Sequence, residues 1–314
     1  MLNIALIGTG KMVISDLASL AKSTSCRLAA VCDINEEVVK GIAEEHNVPY
    51  FLDYHDIPSS SVEIDAVVIN LPHFLHCEAS VFFLENGYHV FCEKPMANTV
   101  EECDRMIEAA EKSGKKLGIG HIQRFFPSVQ YVKKVYEEGT FGKLCMVAET
   151  RTINYFVPTR PKWFHSKKLA GGGIAMNFGA HAFDRIFSVL GPQDVEITSS
   201  VANIKNDADI EGHAQFLAKL ENGVSAAVTF SGYLGSGYNT CYYFENGTIR
   251  IGGGGDIFFD DKGNSGPLDV SEYPDDKMLW QFEEFAKFVK GEPSMTPDGS
   301  YGRAVISAIE KVYK

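Results

Sequence analysis

The chain lacks a surplus of cations. It carries 29 Lys and Arg against 41 Asp and Glu, for a formal net charge of −12. That deficit excludes a general nucleic-acid or anionic-membrane binder, because both need a basic face. A local basic pocket for one phosphorylated ligand is compatible with it. Long apolar runs are also missing, with no stretch near the roughly 20 apolar residues of a membrane span. The opening MLNIALIGTG has no basic segment, and its short apolar run ends in glycines, unlike a secretory signal. Seven cysteines show no C-x-x-C spacing, and several, such as Cys32, Cys92 and Cys145, sit in strand-like runs. Reduced, mostly buried thiols in a cytoplasmic protein are the expectation, with a catalytic cysteine the minor alternative.

What is present is an ordinary soluble composition, 45% hydrophobic and 22% charged over 314 residues. A domain holds roughly 100–200 residues, so about two domains are expected. Apolar and amphipathic runs alternate as far as residue 121. Strands are expected at Leu2–Gly8, Arg27–Asp33, Tyr50–Leu52, Ile64–Leu71, His89–Cys92 and Lys116–Gly120. Helices fall between them at Lys11–Lys22, Glu36–His46 and Cys77–Asn86, and Thr99 with Glu102 makes a capping box for another reaching Lys112. That alternation predicts an α/β fold with a doubly wound parallel sheet. Beyond it, a helix at Pro127–Glu138 leads into long strand-like runs, two pairs of them split by Asn222-Gly223 and Asn246-Gly247, which signal hairpins. A helix over Ala175–Leu190 interrupts the strands. Gly252–Gly255 and Asp260–Pro274 read as surface loop, and helices at Lys277–Lys290 and Gly302–Tyr313 end the chain. The division is a first domain over 1–121, an α+β domain over 122–296 with an open, mostly antiparallel sheet, and a segment 297–314 returning to cover the first domain.

Five segments carry chemistry. Gly8-Thr9-Gly10 joins the first strand to the first helix, where backbone N–H groups of a glycine turn approach a pyrophosphate. The cradle extends to Lys11 and Met12. Val13 stands where a third glycine is common. Asp33 ends the second strand, in place to accept hydrogen bonds from the adenosine ribose of NAD and to repel the extra phosphate of NADP. It also suits an N-cap. Leu71, Pro72, His73 and His76 follow the fourth core strand, where ligands sit in an open parallel sheet. Cofactor lining or packing is favoured there over metal binding, since no further ligands share metal-site spacing. In HVFCEKP, Glu93 and Lys94 close a strand. An ammonium there reaches over a nicotinamide and exchanges a proton with a substrate oxygen. Pro95 fixes the turn, with a cis bond as one option. In GGGIAMNFGAHAFD, Asn177 and His181 are four apart on one helix face. His181 there either polarises a substrate oxygen or is a satisfied core histidine, and the three glycines allow close approach of a ligand.

Together with GHIQRFFP at Gly120–Pro127, these segments resemble the Gfo/Idh/MocA family of NAD(P)-dependent oxidoreductases over nearly the whole chain. The resemblance implies a Rossmann domain, followed by an α/β domain whose open sheet forms a homodimer or homotetramer interface. It implies hydride transfer between nicotinamide and a sugar, cyclitol or related polyol, with NAD favoured over NADP through Asp33. Lys94 matches the family's catalytic lysine and His181 its catalytic histidine. Arg124 and Phe125 match the segment entering the second domain, near cofactor and substrate. Asn177 stands where the family commonly has Asp. A neutral amide orients an imidazole but does not stabilise an imidazolium, which shifts the acid–base burden to Lys94. Tyr155 and Trp163, in the polar and aromatic stretch Arg151–His165, are candidate substrate contacts, with a lid or solvated loop as the alternative. Two other readings share the fold: a sensor that binds NAD and sugar without turnover, and an NAD-dependent glycosidase. No metal, nucleic acid or membrane is expected.

Overall fold

Leu2–Ile7 (β1) is buried on both faces at its end, as a central parallel strand requires. The computed structural model describes residues 1–10, 12–202, 208–233, 235–253, 257–261 and 263–314, with the backbone alone for 199–202. Lys11, Asn203 and Gly254–Gly255 lie outside them. After β1 come α1 (Val13–Leu20), β2 (Cys26–Cys32), α2 (Glu36–His46), β3 (Tyr50–Phe51), β4 (Ala66–Ile69), α3 (His73–Glu85), β5 (His89–Glu93), α4 (Val100–Ser113) and β6 (Leu117–Gly120). The six strands form one sheet in the order β3-β2-β1-β4-β5-β6, every pair parallel. The order reverses between β1 and β4, the switch point where ligands of such sheets bind.

Local chemistry sets the helix ends. The Thr99 hydroxyl accepts the Glu102 N–H at 3.2 Å, and the Glu102 carboxylate accepts the Asn98 N–H at 2.9 Å. The second half of this capping box thus reaches one residue further back than the usual pattern. Gly114 ends α4 in the left-handed conformation. Helix α3 starts at His73, not at Cys77 as the sequence suggests. Pro72, with φ of −56°, precedes the first turn, and its missing N–H costs nothing there. His73 and His76 therefore lie on the first turn of a helix rather than in a loop.

The second part comprises α5 (Pro127–Glu138), β7 (Leu144–Thr152), α6 (Lys167–Ala170), α7 (Ile174–Leu190), β8 (Val195–Ala202), β9 (His213–Leu220), β10 (Ser225–Ser231), β11 (Gly237–Phe244), β12 (Thr248–Gly252), β13 (Ile257–Asp261) and β14 (Asn264–Pro267). Its eight-stranded sheet has the order β14-β13-β12-β11-β7-β10-β9-β8. Only β7 and β10 pair in parallel among its strands. Both Asn-Gly pairs join antiparallel neighbours, β9 with β10 and β11 with β12. Strand β14 and the last two residues of β13, Asp260 and Asp261, fall where surface loop is expected. The reason is composition: β14 reads NSGP and lies at the sheet edge, where a strand pairs on one side only and tolerates Gly and Pro.

The chain ends in α8 (Lys277–Lys290) and α9 (Gly299–Val312). Contacts group Met1–Ile122 with Asp276–Arg303 as one compact unit, and Gln123–Asp275 with Ala304–Lys314 as another. Phe282, Phe285 and Ala286 of α8 join the apolar core of Ile4, Leu6, Val31 and Phe91 in the first unit. The last helix, expected to cover the first domain from 297 onward, thus divides its residues between the two units at Arg303. No helix among the described residues is long and apolar enough to cross a membrane. Six cysteines are buried, and Cys145 is exposed. Burial pushes the Cys32 thiol up to about 12, far from the reactive thiolate range.

Candidate active site

In the first unit, the switch point brings the carboxyl ends of β1 and β4 together. Gly8 has φ of +95°, and a Cβ there would meet Asn70 O at 2.8 Å. Both its conformation and the close approach to the backbone just after β4 require glycine. Around Gly10 no described residue beyond its chain neighbours lies within 4 Å of an added Cβ, so the turn is open there to a pyrophosphate. The Asp33 carboxylate faces this turn. Its Oδ2 accepts the Thr9 N–H at 2.6 Å and the Thr9 hydroxyl at 2.8 Å, while Oδ1 accepts the Asn35 N–H at 2.9 Å. Asn35, not Asp33, caps α2. Met12 precedes α1 and is exposed.

A buried acid, Asp16, and a partly buried one, Glu93, stand behind the turn. Asn70 Nδ2 donates to Asp16 at 2.6 Å. Burial pushes the Asp16 carboxyl up to about 6, with the Asn70 bond opposing. Burial also raises Glu93, the Asp16 charge adds to the rise, and Lys94 opposes it. Glu93 Oε2 accepts the Lys94 N–H at 3.2 Å. Lys94 leads into a cis bond to Pro95. His76 is buried with both ring nitrogens against the backbone, Nδ1 at 2.8 Å from Pro95 O and Nε2 at 2.8 Å from Leu71 O. Burial lowers its pKa. It fastens the turn after β5 to the segment after β4, so its role is to position Leu71 and Pro95 rather than to touch a ligand through nitrogen.

In the second unit, α7 is buried all round. Within it, only His181 and Leu190 keep more than slight exposure. A helix end buried this way needs its N–H groups satisfied, and Glu211 does so. Its carboxylate accepts the Gly173 N–H at 2.8 and 2.9 Å and the Ala175 N–H at 2.8 Å. The Tyr313 hydroxyl donates to it at 2.8 Å. A Cβ on Gly172 would meet the Tyr313 hydroxyl oxygen at 2.0 Å, and one on Gly173 would meet Glu211 O at 2.2 Å. The glycines expected to admit a ligand thus admit Tyr313 and Glu211 instead. Glu211→Ala should lower stability by about 3 kcal/mol, since hydrogen bonds to charged groups contribute roughly 1.5–3 kcal/mol each. Urea unfolding would read the loss, and Glu211→Gln should lose less.

A polar chain lies behind His181. Gln123 Nε2 sits 3.4 Å from His181 Nδ1, and Arg185 donates to Gln123 Oε1 at 2.6 Å. Arg185 also donates to both carboxylate oxygens of Glu149, through Nε at 2.9 Å and through its second terminal nitrogen. Burial works against the Arg185 charge, and Glu149 more than reverses that. The Gln123 N–H donates to Asp184 at 3.0 Å, and Arg124 Nε lies 3.7 Å from the other Asp184 oxygen. Phe125 is fully buried beside them in sequence. Tyr155 is also fully buried. Arg160 lies 3.9 Å over its ring, and burial pushes its phenol up to about 12. Trp163 stacks on Phe164 at 3.8 Å in a short helix over Lys162–His165. Gln123, Arg185 and Glu149 do not stand out in the sequence as site residues. The signal was there in the charged residues that interrupt apolar runs at LCMVAETRT and HAFDRIFSVL, because a charge in a buried element needs a partner.

A parallel sheet with an open glycine turn at its switch point and an acid at the end of the next strand is a dinucleotide-binding unit. A model of the NAD-binding Rossmann domain of the Gfo/Idh/MocA oxidoreductases matches residues 2–121, and one of that family's C-terminal domain matches residues 129–253. The chain belongs to the Gfo/Idh/MocA oxidoreductase family. It is 28% identical over 74% of its length to 1-carboxy-3-chloro-3,4-dihydroxycyclohexa-1,5-diene dehydrogenase of Comamonas testosteroni, and the match spans 58% of that relative. It is 25% identical over 100% of its length to D-glucoside 3-dehydrogenase of Escherichia coli K12, spanning 95% of that protein. The fold matches the aldose-aldose oxidoreductase of Caulobacter crescentus, solved with glycerol, with a TM-score of 0.91, 23% identity and coverage of 99% and 96% of the two chains.

Proposed function

We propose that the protein is an NAD-dependent dehydrogenase acting on a hydroxyl of a sugar, cyclitol or related polyol. The observation that carries this reading is the open turn at Gly8–Gly10 in the same unit as Lys94, which stands at the carboxyl end of β5. The residues present suit the cofactor. Backbone at Gly8, Thr9 and Gly10 would hold the pyrophosphate, and Lys11 and Met12 belong to the same proposed cradle by their place in the sequence. Leu71, Pro72, His73 and Glu93 would line the nicotinamide half, and Arg124 is a further candidate cofactor contact by its match to the family segment. Nicotinamide supplies the hydride acceptor when bound. Lys94 Nζ takes the hydroxyl proton as the hydride leaves the carbinol carbon, which gives a carbonyl product. His181 and Asn177 hold the substrate oxygens, and Phe125, Tyr155 and Trp163 shape the pocket around the ring. The relatives support the substrate class, one being named for a dihydroxycyclohexadiene and the other for a glucoside.

NAD is favoured over NADP because the Asp33 carboxylate faces the turn, where an added ribose phosphate would meet like charge. Asp33→Ala should weaken NAD binding about tenfold, the value of one charge-assisted hydrogen bond, and narrow the preference over NADP. Titration of both nucleotides would show it. A homodimer or homotetramer through the eight-stranded sheet belongs to the same proposal and rests on the resemblance to the family. The buried thiols suit a reducing, cytoplasmic setting.

The reading is tested by following reduced nicotinamide while a panel of sugars and polyols is offered with NAD. Reduction with one of them supports it. Asn177 favours the sensor as the second reading, and binding of NAD and a sugar without any reduction would establish that instead.

A further inference from the structure

The dehydrogenase reading leaves open which nitrogen of His181 carries its proton. The polar chain behind the ring decides it. Gln123 lies between His181 and Arg185, with its amide nitrogen 3.4 Å from His181 Nδ1 and its amide oxygen 2.6 Å from Arg185. Oxygen and nitrogen of an amide are told apart by their neighbours. Here the neighbour leaves no choice. A guanidinium offers donors only, and Arg185 is held by two bonds to the buried Glu149. Turned the other way, the amide would set its NH2 against those donors. The oxygen must face Arg185, so the NH2 must face His181.

An NH2 group opposite Nδ1 calls for a lone pair there. A proton on Nδ1 would oppose donor to donor in a largely buried site. Gln123 has little freedom to turn away, since its own N–H is held by Asp184 and its side chain is buried. On the Gln123 side the next charge is the Arg185 guanidinium, which adds no acceptor facing Nδ1.

We infer that Gln123, anchored by Arg185 and Glu149, holds His181 as the neutral tautomer protonated at Nε2, so that His181 donates a hydrogen bond to the substrate oxygen and does not accept its proton. This rests on the dehydrogenase reading for the identity of the oxygen, and leaves proton transfer to Lys94. Lys94 Nζ would take the hydroxyl proton, a bound nicotinamide would supply the hydride acceptor, and His181 would keep its own proton throughout. Gln123 is a positioning residue here, acting through His181.

The test is a long-range proton–nitrogen spectrum of the full chain labelled with 15N-histidine, with and without NAD, at neutral pH. His181 is assigned by the signals that vanish in His181→Gln. The expected result is a pyridine-like Nδ1 and a pyrrole-like Nε2. A pyrrole-like Nδ1, a fast mixture of both tautomers, or an imidazolium signature would overturn the inference. Gln123→Glu keeps an oxygen for Arg185 but offers His181 an acceptor. It should convert His181 to the Nδ1-protonated or doubly protonated form, and an unchanged spectrum in that variant would also overturn the inference. Failure of the dehydrogenase reading looks different, with the expected spectrum intact and no reduction of NAD by any substrate.

Discussion

Lys94→Ala lowers turnover by about 10²–10⁴-fold, the range for removing a positioned acid–base group, and leaves NAD affinity close to that of the unaltered protein. The separation follows from the geometry. The pyrophosphate cradle is backbone around Gly8 and Gly10, and the ribose contact is Asp33. Neither depends on the Lys94 side chain. The turn that carries Lys94 is fixed independently, by the Glu93 bond to its N–H and by His76 against Pro95 O. Pre-steady-state mixing with NAD and substrate separates the steps, and the lost rate should appear in hydride transfer rather than in binding. Lys94→Arg should fare little better, because a guanidinium does not give up its proton near neutral pH.

Glu149→Ala destabilises the second unit by about 3–5 kcal/mol, the cost of leaving one member of a buried ion pair without its partner. Arg185 is 1% exposed, so its charge has no route to water. The guanidinium also lies 4.7 Å from the Tyr238 ring and bonds Gln123, so the loss spreads to the residues behind His181. Replacing both members, as Glu149→Leu with Arg185→Met, should recover most of the stability, because an apolar pair of similar volume needs no compensation. The double variant should still turn over poorly, since Gln123 then loses the anchor that aims its amide at His181. Denaturant unfolding of the two variants beside the unaltered chain reads the stability, and steady-state turnover of the double variant reads the loss at His181.

The parts of the fold legible in the sequence are those set by neighbours along the chain. Alternating runs announce the parallel sheet, Asn-Gly pairs place the hairpins β9–β10 and β11–β12, and Thr99 with Gly114 brackets α4. The parts that were not legible depend on partners far away. Gly172 and Gly173 look like a ligand loop until Tyr313 and Glu211 are seen against them. Glu149 lies on β7 and Arg185 on α7, and nothing local says that each exists for the other. His76 resembles a ligand-facing histidine, yet both of its nitrogens meet carbonyl oxygens of its own unit. Edge strand β14 is missed because its one-sided pairing places few demands on composition. At the candidate site, the glycine turn, Asp33, Lys94 and His181 stand out by spacing from the chain ends of predicted strands and helices. Gln123 does not, because an amide takes its meaning only from what faces each end.

The most direct test of the hydride-transfer claim uses a substrate from the panel, deuterated at the carbinol carbon. The predicted result is deuterium at C4 of the recovered reduced nicotinamide, matched by carbonyl product, and lost together in Lys94→Ala. A sugar converted with its redox state unchanged and no reduced nicotinamide, or one bound with the label wholly retained, would contradict it.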